Sequence, residues 1–445
     1  MSHSDRPEKT QSVGRRDFLR ASAMLAGGSL AGGLSLSRSA HAAGSDVLKI
    51  GLIGCGGRGR GAASEALTAD KNARLVAMGD AFAERVANSY EILKRQEVSD
   101  RVDVPKERQF AGFDAFEKVI QSGVDVVLLA EPPHFRPQHL KAAVDAGKHV
   151  FCEKPVAVDG PGVRSVLATS EEAAKKNLSL VSGLCWRYHN AVREAMQRVL
   201  DGAIGKILAM RETYLTGIVG GLKRDPKWTE MEYQLRNWWC FTWLSGDFNV
   251  EQHIHSLDKA LWAMHDEPPA RAWGVGGRQV RIDPMHGEIY DHHAVCYEYA
   301  DGTQVYSYCR QQPGCWSDVS DVFLGTKGRA TILKRGSPTP EIEGENAWKF
   351  KGKGNNMYVA EHEALFQSIR AAKPINNGVY MARSTMLAIL GRMVDYTGQV
   401  MTWDEALNSK QTLAPRAYAW DAEPPTKPGP DGRYPIATPG VTKIP

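Results

Sequence analysis

The sequence has few of the features that mark a disulfide-bonded, zinc-binding or nucleic-acid-binding protein. Its seven cysteines are odd in number and scattered, and no Cys-x-x-Cys pair occurs. This distribution argues against a disulfide framework and a structural zinc site. Six of the 55 basic and three of the 51 acidic residues lie in positions 1–43, so the rest of the chain has a net charge of +1. Without a basic run, we expect neither nucleic acid nor an anionic membrane as a partner.

Long apolar runs are also lacking, apart from a short stretch near the N-terminus. The segment Gly14–Arg20, GRRDFLR, resembles a twin-arginine export signal. Residues 21–36 are small and mildly apolar, too few for a comfortable membrane span, and Ala40–Ala42 has the small-x-small pattern of a cleavage site. We predict that residues 1–43 form a signal peptide and that the protein is exported to the periplasm or another extracytoplasmic space. A disordered basic N-terminus and an uncleaved anchor are the alternatives.

Strand-like and helix-like segments alternate through the N-terminal half. Residues 48–53, 74–80 and 124–130 have the pattern of strands, and the third is apolar on both faces, as expected of a buried parallel strand. This alternation predicts a Rossmann domain, with a doubly wound parallel sheet, over residues 44–183.

The pattern changes after about residue 185. Extended segments at 294–299 and 303–310 flank Ala300-Asp301-Gly302, a hairpin signal. We predict an α+β domain with a large, mostly antiparallel, open-faced sheet over residues 184–411. Residues 412–445 are rich in proline and glycine and predict an extended surface tail.

A glycine-rich loop follows the first predicted strand and precedes an alanine-rich helix. Three of its glycines fit the pattern GxGxxG, and the strand–loop–helix context favours a dinucleotide site over a plain turn. Such glycines permit a tight turn, the approach of a pyrophosphate and close helix packing, and the helix N-terminus attracts phosphates. We predict that NAD contacts Gly54, Cys55, Gly56, Gly57, Arg58 and Gly59.

Asp80 follows Gly54 by 26 residues, at the end of the second predicted strand. An acid at that position accepts hydrogen bonds from ribose hydroxyls and repels a 2′-phosphate, so it favours NAD over NADP. Arg85 is close enough in sequence to keep NADP possible.

The segment Ala146–Pro155, AGKHVFCEKP, resembles the Gfo/Idh/MocA family of glucose–fructose oxidoreductases and inositol dehydrogenases. The resemblance covers most of residues 46–410. It implies that Glu153 contacts the cofactor and that Lys154 lies beside both the nicotinamide and the reacting carbinol. A buried ammonium at that place would stabilise a developing alkoxide. The resemblance therefore implies an NAD(P)-dependent oxidoreductase acting on a secondary hydroxyl of a sugar, glycoside or polyol.

The segment Glu251–Asp258, EQHIHSLD, resembles the family's second landmark, an acid followed by a histidine and a further acid. At spacings of four and three, Glu251, His255 and Asp258 share one helical face. The resemblance implies that His255 is the catalytic histidine, which can accept a hydroxyl proton near neutral pH. We predict Lys154, Glu251 and His255 as catalytic and Asp258 as substrate-contacting.

Two positions depart from the family's pattern. Glu251 stands where the family usually has aspartate, and His253 stands where it usually has a small residue. His253 is either a substrate-facing or a packing histidine. Because the His-x-His spacing on a helix directs the two rings to different faces, we expect no metal.

Further candidates come from their positions alone. Pro132 and His134 follow the third strand, where cofactor-contacting loops lie in doubly wound sheets. Arg187 and Tyr188 lie where the family's chain enters its substrate domain, and we assign them to cofactor and substrate, respectively. Trp239 belongs to a tryptophan-rich stretch whose flat rings suit sugars, although they suit core packing or an oligomer interface equally well.

An exported hydride-transfer enzyme would find no free pool of nicotinamide cofactor. We therefore expect tightly bound NAD that is reduced and reoxidised in place. The alternatives are an NAD-dependent, redox-assisted glycoside hydrolase and a non-catalytic binding protein that contains the cofactor. The open face of the antiparallel sheet predicts a homo-oligomer, either a dimer or a tetramer.

Overall fold

A six-stranded parallel sheet forms the first part of the computed structural model, which describes residues 46–444. The predicted signal peptide therefore lies outside the described residues. The strand order is β3-β2-β1-β4-β5-β6, which is the Rossmann order, and the predicted doubly wound parallel sheet is confirmed. The strands are β1 (Leu48–Ile53), β2 (Ala73–Asp80), β3 (Gln109–Ala111), β4 (Val126–Leu129), β5 (His149–Cys152) and β6 (Leu180–Ser182).

The carboxyl ends of the central strands coincide. Ile53 of β1 lies opposite Gly79 of β2 and opposite Leu129 of β4, so the loops after all three strands meet at one edge. Ligands bind at this edge in open α/β sheets. Helices connect the strands: α1 (Gly57–Ala69), α2 (Ala83–Leu93), α3 (Ala115–Gln121), α4 (Arg136–Asp145) and α5 (Gly160–Lys175).

A nine-stranded sheet forms the second part of the fold, and all but one of its neighbouring strand pairs are antiparallel. The exception is β7 with β10. The predicted hairpin at residues 300–302 joins β9 to β10, as expected. The order is β14-β13-β12-β11-β7-β10-β9-β8-β15. The strands are β7 (Ile207–Thr216), β8 (Arg271–Gly277), β9 (His292–Glu298), β10 (Gln304–Gln311), β11 (Asp318–Gly325), β12 (Gly328–Leu333), β13 (Glu341–Gly344), β14 (Trp348–Lys349) and β15 (Met401–Thr402).

The remaining helices follow residue 185, and several of them contribute to one apolar cluster that also contains residues of both sheets. They are α6 (Asn190–Leu200), α7 (Glu230–Arg236), α8 (Thr242–Ser245), α9 (Phe248–Glu251), α10 (Ile254–Ala263), α11 (Met357–Arg370), α12 (Gly378–Thr397) and α13 (Trp403–Asn408). Helix α12, which is almost wholly buried, packs against α5 on one side and against β8 and β9 on the other. Helix α11 comes from the segment assigned to the second domain, yet it packs on α1.

The described part of the chain has no regular secondary structure in its C-terminal tail and no membrane-spanning helix. Residues 412–444 contain neither helix nor strand. No helix between residues 46 and 444 has both the length and the apolar character needed to cross a bilayer.

A buried charge network lies between α12 and the second sheet. His293 of β9 is 3 % exposed, with Nδ1 at 2.8 Å from Asp395 Oδ2 and Nε2 at 3.4 Å from Asp247 Oδ2. Burial opposes the charged ring, but the two carboxylates outweigh it and raise the pKa of His293 to about 9. The protonated ring therefore bridges two buried acids.

This network makes a pH dependence of stability measurable. A histidine whose pKa is raised on folding contributes stability that is complete below its unfolded value of about 6.5 and is lost as pH rises through 9. We expect the free energy of unfolding by urea to fall by about 3 kcal/mol between pH 6.5 and 9.5. The variant His293→Gln is the control, because it should lose this dependence. An equal pH dependence in both proteins would contradict the assignment.

Candidate active site

The loop between β1 and α1 has the geometry of a phosphate-binding turn. Gly54 has φ +89°, and a Cβ there would lie 2.4 Å from the backbone nitrogen of Glu131. A Cβ on Gly59 would lie 1.8 Å from the carbonyl oxygen of Gly54, so helix and strand touch at that point. At Gly56 and Gly57 a Cβ would meet nothing within 4 Å. The backbone is closely packed at Gly54 and Gly59, whereas the space at Gly56 and Gly57 is free. A pyrophosphate at the N-terminus of α1 would fit this free space.

Asp80 holds this loop in place from the end of β2. Its Oδ2 accepts a hydrogen bond from the Cys55 backbone N–H at 2.7 Å, and its Oδ1 accepts one from the Phe82 N–H at 3.0 Å. Burial raises the pKa of Asp80, and Arg85 opposes that rise. Carboxylate oxygens have capacity for further donors, so Asp80 can also receive ribose hydroxyls.

Lys154 follows β5 and reaches across to the second domain. Its Nζ lies 2.9 Å from Glu251 Oε1 and also donates to the backbone carbonyl of Glu251. The two side chains are only 13 % and 9 % exposed. Burial raises the pKa of Glu251, and the Lys154 ammonium opposes that rise. The Lys154–Pro155 peptide bond is cis. A buried, oriented ammonium thus stands between the two domains.

His255 follows Glu251 after a short bend in the chain. Desolvation, followed by the charges of Lys154 and Lys259, holds the pKa of His255 well below its usual value. Its Nδ1 has no hydrogen-bond partner among residues 46–444. The ring is therefore neutral at physiological pH and able to accept a proton.

One cleft of about 520 Å³ collects these groups. The predicted residues that line it are Gly54, Gly56, Gly57, Arg58, Asp80, Pro132, Glu153, Lys154, Trp239, Glu251 and His255. The glycine loop thus shares one cavity with the Lys154–Glu251 pair and His255.

Sequence reasoning missed several other lining residues, among them Glu131, Arg136, Tyr214, Trp238, Gln252 and Tyr358. Trp238 belongs to the same tryptophan-rich stretch as Trp239, although only Trp239 was assigned to the substrate, and Gln252 is a neighbour of a predicted residue. Tyr214 lies near the end of β7, and nothing in its local pattern distinguishes it from the other strand residues.

Arg187, Tyr188 and Asp258 do not line the cleft, in contrast to their assigned roles. The Arg187 guanidinium lies 2.9 Å from Asp258 Oδ1 and also pairs with Asp266, while the Tyr188 hydroxyl donates to Asn377 Oδ1 at 2.7 Å. Glu251 ends α9 and Asp258 lies in α10, so the single helical face predicted for them does not form. In this structure all three side chains have partners outside the cleft.

His253, His134 and two loop residues also lie off the cleft. His253 is fully buried, and its Nε2 lies 2.7 Å from the Ser307 hydroxyl, which makes it a packing histidine. His134 Nε2 lies 2.8 Å from the hydroxyl of Tyr418, so the imidazole contacts the C-terminal tail. Cys55 donates its backbone N–H to Asp80 and its thiol to the Gly79 carbonyl, and Gly59 packs against Gly54, so both residues shape the loop. Among residues 46–444, no three His, Cys, Asp or Glu side chains are grouped to hold a metal ion.

Residues 48–182 match the family model of Gfo/Idh/MocA, described as an oxidoreductase family with an NAD-binding Rossmann fold. The matched segment coincides with the six-stranded parallel sheet, from the start of β1 to the end of β6. The N-terminal domain is thus an NAD-binding Rossmann domain.

Three curated relatives are similar to the chain. The inositol 2-dehydrogenase of Rhizobium meliloti is 27% identical over 263 residues, which cover 58% of this chain and 67% of that protein. The myo-inositol 2-dehydrogenase of Thermotoga maritima is 27% identical over 220 residues, covering 49% and 56%. The glycosyl hydrolase family 109 protein 1 of Bacteroides fragilis is 25% identical over 232 residues, covering 51% and 42%. The aligned segments thus leave a third or more of each relative unmatched.

Solved structures share the fold of both domains. An aldose-aldose oxidoreductase from Caulobacter crescentus has a TM-score of 0.63 at 20% identity, over 80% of this chain and 99% of that chain. A levoglucosan dehydrogenase in complex with NADH and levoglucosan has a TM-score of 0.60 at 16% identity, over 80% and 99%. The second sheet is therefore part of the shared architecture.

Proposed function

We propose that the protein oxidises a secondary hydroxyl of a sugar, glycoside or polyol, with NAD as the hydride acceptor. One observation carries this proposal: a single cleft holds the glycine loop and Asp80 together with Lys154, Glu251 and His255. The names of the inositol 2-dehydrogenases support a polyol or sugar as the substrate class.

The side chains divide the proton chemistry between them. NAD supplies the hydride-accepting carbon when it is bound. Lys154 donates a hydrogen bond to the substrate hydroxyl oxygen and stabilises the negative charge that develops there. Glu251 fixes the position of the Lys154 ammonium through their 2.9 Å contact. His255, neutral because of its lowered pKa, takes the hydroxyl proton.

A substrate screen tests the proposal. The purified protein is mixed with NAD and, in turn, with inositols, aldoses and 1,6-anhydro sugars, and formation of NADH is followed by absorbance. We expect at least one polyol or sugar to reduce NAD. Failure of every compound, in a protein that binds NAD, would favour the non-catalytic binding protein.

Cofactor preference should depend on the Asp80 charge. The variant Asp80→Asn keeps an oxygen to accept the loop N–H but removes the charge that repels a 2′-phosphate, leaving Arg85 unopposed. We expect the ratio of kcat/KM with NADP to kcat/KM with NAD to rise by about tenfold or more. Arg85→Gln is the opposing control and should lower that ratio. An unchanged ratio in Asp80→Asn would argue against a ribose contact.

Redox-assisted glycoside hydrolysis is the second candidate, because a glycosyl hydrolase family 109 protein is among the relatives. Oxidation of a ring hydroxyl to a ketone acidifies the neighbouring C–H. Loss of that proton expels the glycosidic substituent, and water addition with hydride return completes the cycle. Nitrophenyl glycosides in heavy water test this route. Release of nitrophenol without added NAD, with deuterium at the carbon beside the oxidised one, would support it.

Export and cofactor retention form a linked proposal. The pattern at Gly14–Arg20 supports transport of a folded protein through the twin-arginine pathway. Cell fractionation locates the protein, and denaturation of the exported form releases any bound nicotinamide for mass analysis. Near-stoichiometric NAD would support recycling in place, whereas an empty exported protein would argue against it.

The outer face of the second sheet supports a homo-oligomer. Trp273 of β8 and Tyr306 of β10 flank Cys296 in one row, and Val275 and Tyr308 flank Ala294 in the next. The four flanking side chains are between 37 % and 73 % exposed. An aromatic patch of this kind is typical of an interface, and we propose that a second copy of the chain covers it. Light scattering after size exclusion should give a dimer or tetramer; a monomer at micromolar concentration would contradict this.

A further inference from the structure

The C-terminal tail crosses the edge of the Rossmann sheet at which the cofactor loop lies. Leu413 N–H donates to Asp159 Oδ2 at 2.9 Å, and the Tyr418 hydroxyl lies 2.8 Å from His134 Nε2. Further along, the carbonyl of Trp420 accepts a hydrogen bond from the Thr229 hydroxyl. Because His134 follows β4, this path runs over the carboxyl ends of the parallel strands.

Beside Asp80 lies a small apolar slot of about 60 Å³ that continues from the main cleft. Gly54, Asp80 and Pro132 border both spaces. In Rossmann domains the acid at the end of β2 contacts the ribose of the dinucleotide. The adenine ring of a bound dinucleotide would therefore lie next to Asp80, on the side of the slot. Among the residues that give the slot a flat, apolar lining are Phe82, Phe113, Phe116, Phe135 and Leu235.

Aromatic rings of the tail pack against three of the residues that line the slot. The Trp420 ring centroid lies 5.2 Å from that of Phe82 and 4.8 Å from that of Phe113. The Tyr418 ring lies 5.6 Å from Phe135. These separations fall within the favourable range for aromatic pairs. Removal of the Trp420 ring would take one packing partner from both Phe82 and Phe113, leaving Arg236 over Phe82 and Tyr418 beside Phe113.

The tail also ties the slot to the second domain. The carbonyl of Thr426 accepts a hydrogen bond from Gln234 Nε2 at 2.8 Å, and Gln234 belongs to α7. The next residue of α7 is Leu235, which lines the slot. The tail therefore contacts the Rossmann domain on one side of the slot and helix α7 on the other.

We propose that Tyr418 and Trp420 are positioning residues for the adenosine half of NAD, acting through Phe135 and through the Phe82–Phe113 pair, and that the tail slows release of the cofactor. This inference rests on the proposed NAD-dependent function and adds to it a reason for retention. An apolar slot with rigid walls loses less entropy on binding a flat ring than one whose walls are free to move.

NADH release tests the proposal. NADH-loaded protein is mixed with excess NAD, and the fall in NADH fluorescence gives the dissociation rate. We expect Trp420→Ala to release NADH at least about tenfold faster than the wild type, since loss of buried aromatic contact weakens the slot. Trp420→Phe retains a ring and should restore most of the slow release. Arg433→Ala, on an exposed tail residue, is the matched control and should release NADH at the wild-type rate.

The melting temperature of the cofactor-free variants separates positioning from general stability. A lower melting temperature in Trp420→Ala with unchanged NADH release would overturn the proposal, as would equal acceleration in Trp420→Ala and Arg433→Ala. If the wild-type protein itself binds no NADH, the proposed function fails. If the wild type binds NADH but Trp420→Ala releases it no faster, only the role of the tail fails.

Discussion

Replacement of Lys154 by methionine is expected to lower kcat/KM by about three orders of magnitude. Methionine keeps the length and apolar stem of the side chain but removes the ammonium that stabilises the developing alkoxide. The affinity for NAD, measured by NADH fluorescence titration, should change by less than about tenfold, because the glycine loop and Asp80 remain intact. Steady-state kinetics with the substrate from the screen give the measurement.

The partner of Lys154 provides the control for this experiment. Glu251 is buried, and loss of one member of a buried ion pair is destabilising by several kcal/mol, about 3 to 5. The double variant Lys154→Met with Glu251→Gln should recover stability without recovering activity. Lys141→Met, on an exposed lysine of α4, should change neither. Activity that returns in the double variant would show that Lys154 only neutralises Glu251.

The second large effect concerns His255. We expect His255→Asn to lower kcat/KM by about two to four orders of magnitude, the range found for loss of a positioned general base. Since the pKa of His255 lies well below its usual value, the wild-type ring stays neutral and active to below pH 6.5. Replacement should therefore reduce the rate across the whole neutral range.

His253 is a matched control two residues away. It is also a buried histidine, but its Nε2 contacts Ser307 and it does not line the cleft. We expect His253→Asn to cost about 1 kcal/mol of stability through the disturbed hydrogen bond and to keep most of the activity. Equal losses of activity in the two variants would mean that the effect of His255→Asn comes from disturbed packing.

The N-terminal half of the site could be predicted from the sequence because its determinants are local. The buried strand β1, the glycine loop and the helix α1 follow one another along the chain, and Asp80 ends the neighbouring strand. Gly54 and Gly59 have steric reasons that their spacing already suggests, and the free space at Gly56 suits the approach of a pyrophosphate. The resemblance added Lys154, whose partner Glu251 is 97 residues away and could not be paired by spacing.

The second half was harder to predict because long-range contacts override local periodicity. The spacing of Glu251, His255 and Asp258 suits one helix, but the chain bends between α9 and α10 and only the first two face the cleft. Asp258 instead meets Arg187, 71 residues away. His134 contacts Tyr418 at a separation of 284 residues, so no local pattern could place the tail over the cofactor edge.

Tracing the hydride tests the central claim most directly. myo-Inositol, glucose and levoglucosan, each deuterated at its carbinol carbons, are incubated with the protein and NAD, and the NADH formed is analysed by mass spectrometry. The proposed function predicts NADH that carries one deuterium from the substrate, with loss of this signal in His255→Asn. Bound NAD that stays unreduced with every substrate, or NADH without deuterium, would contradict it.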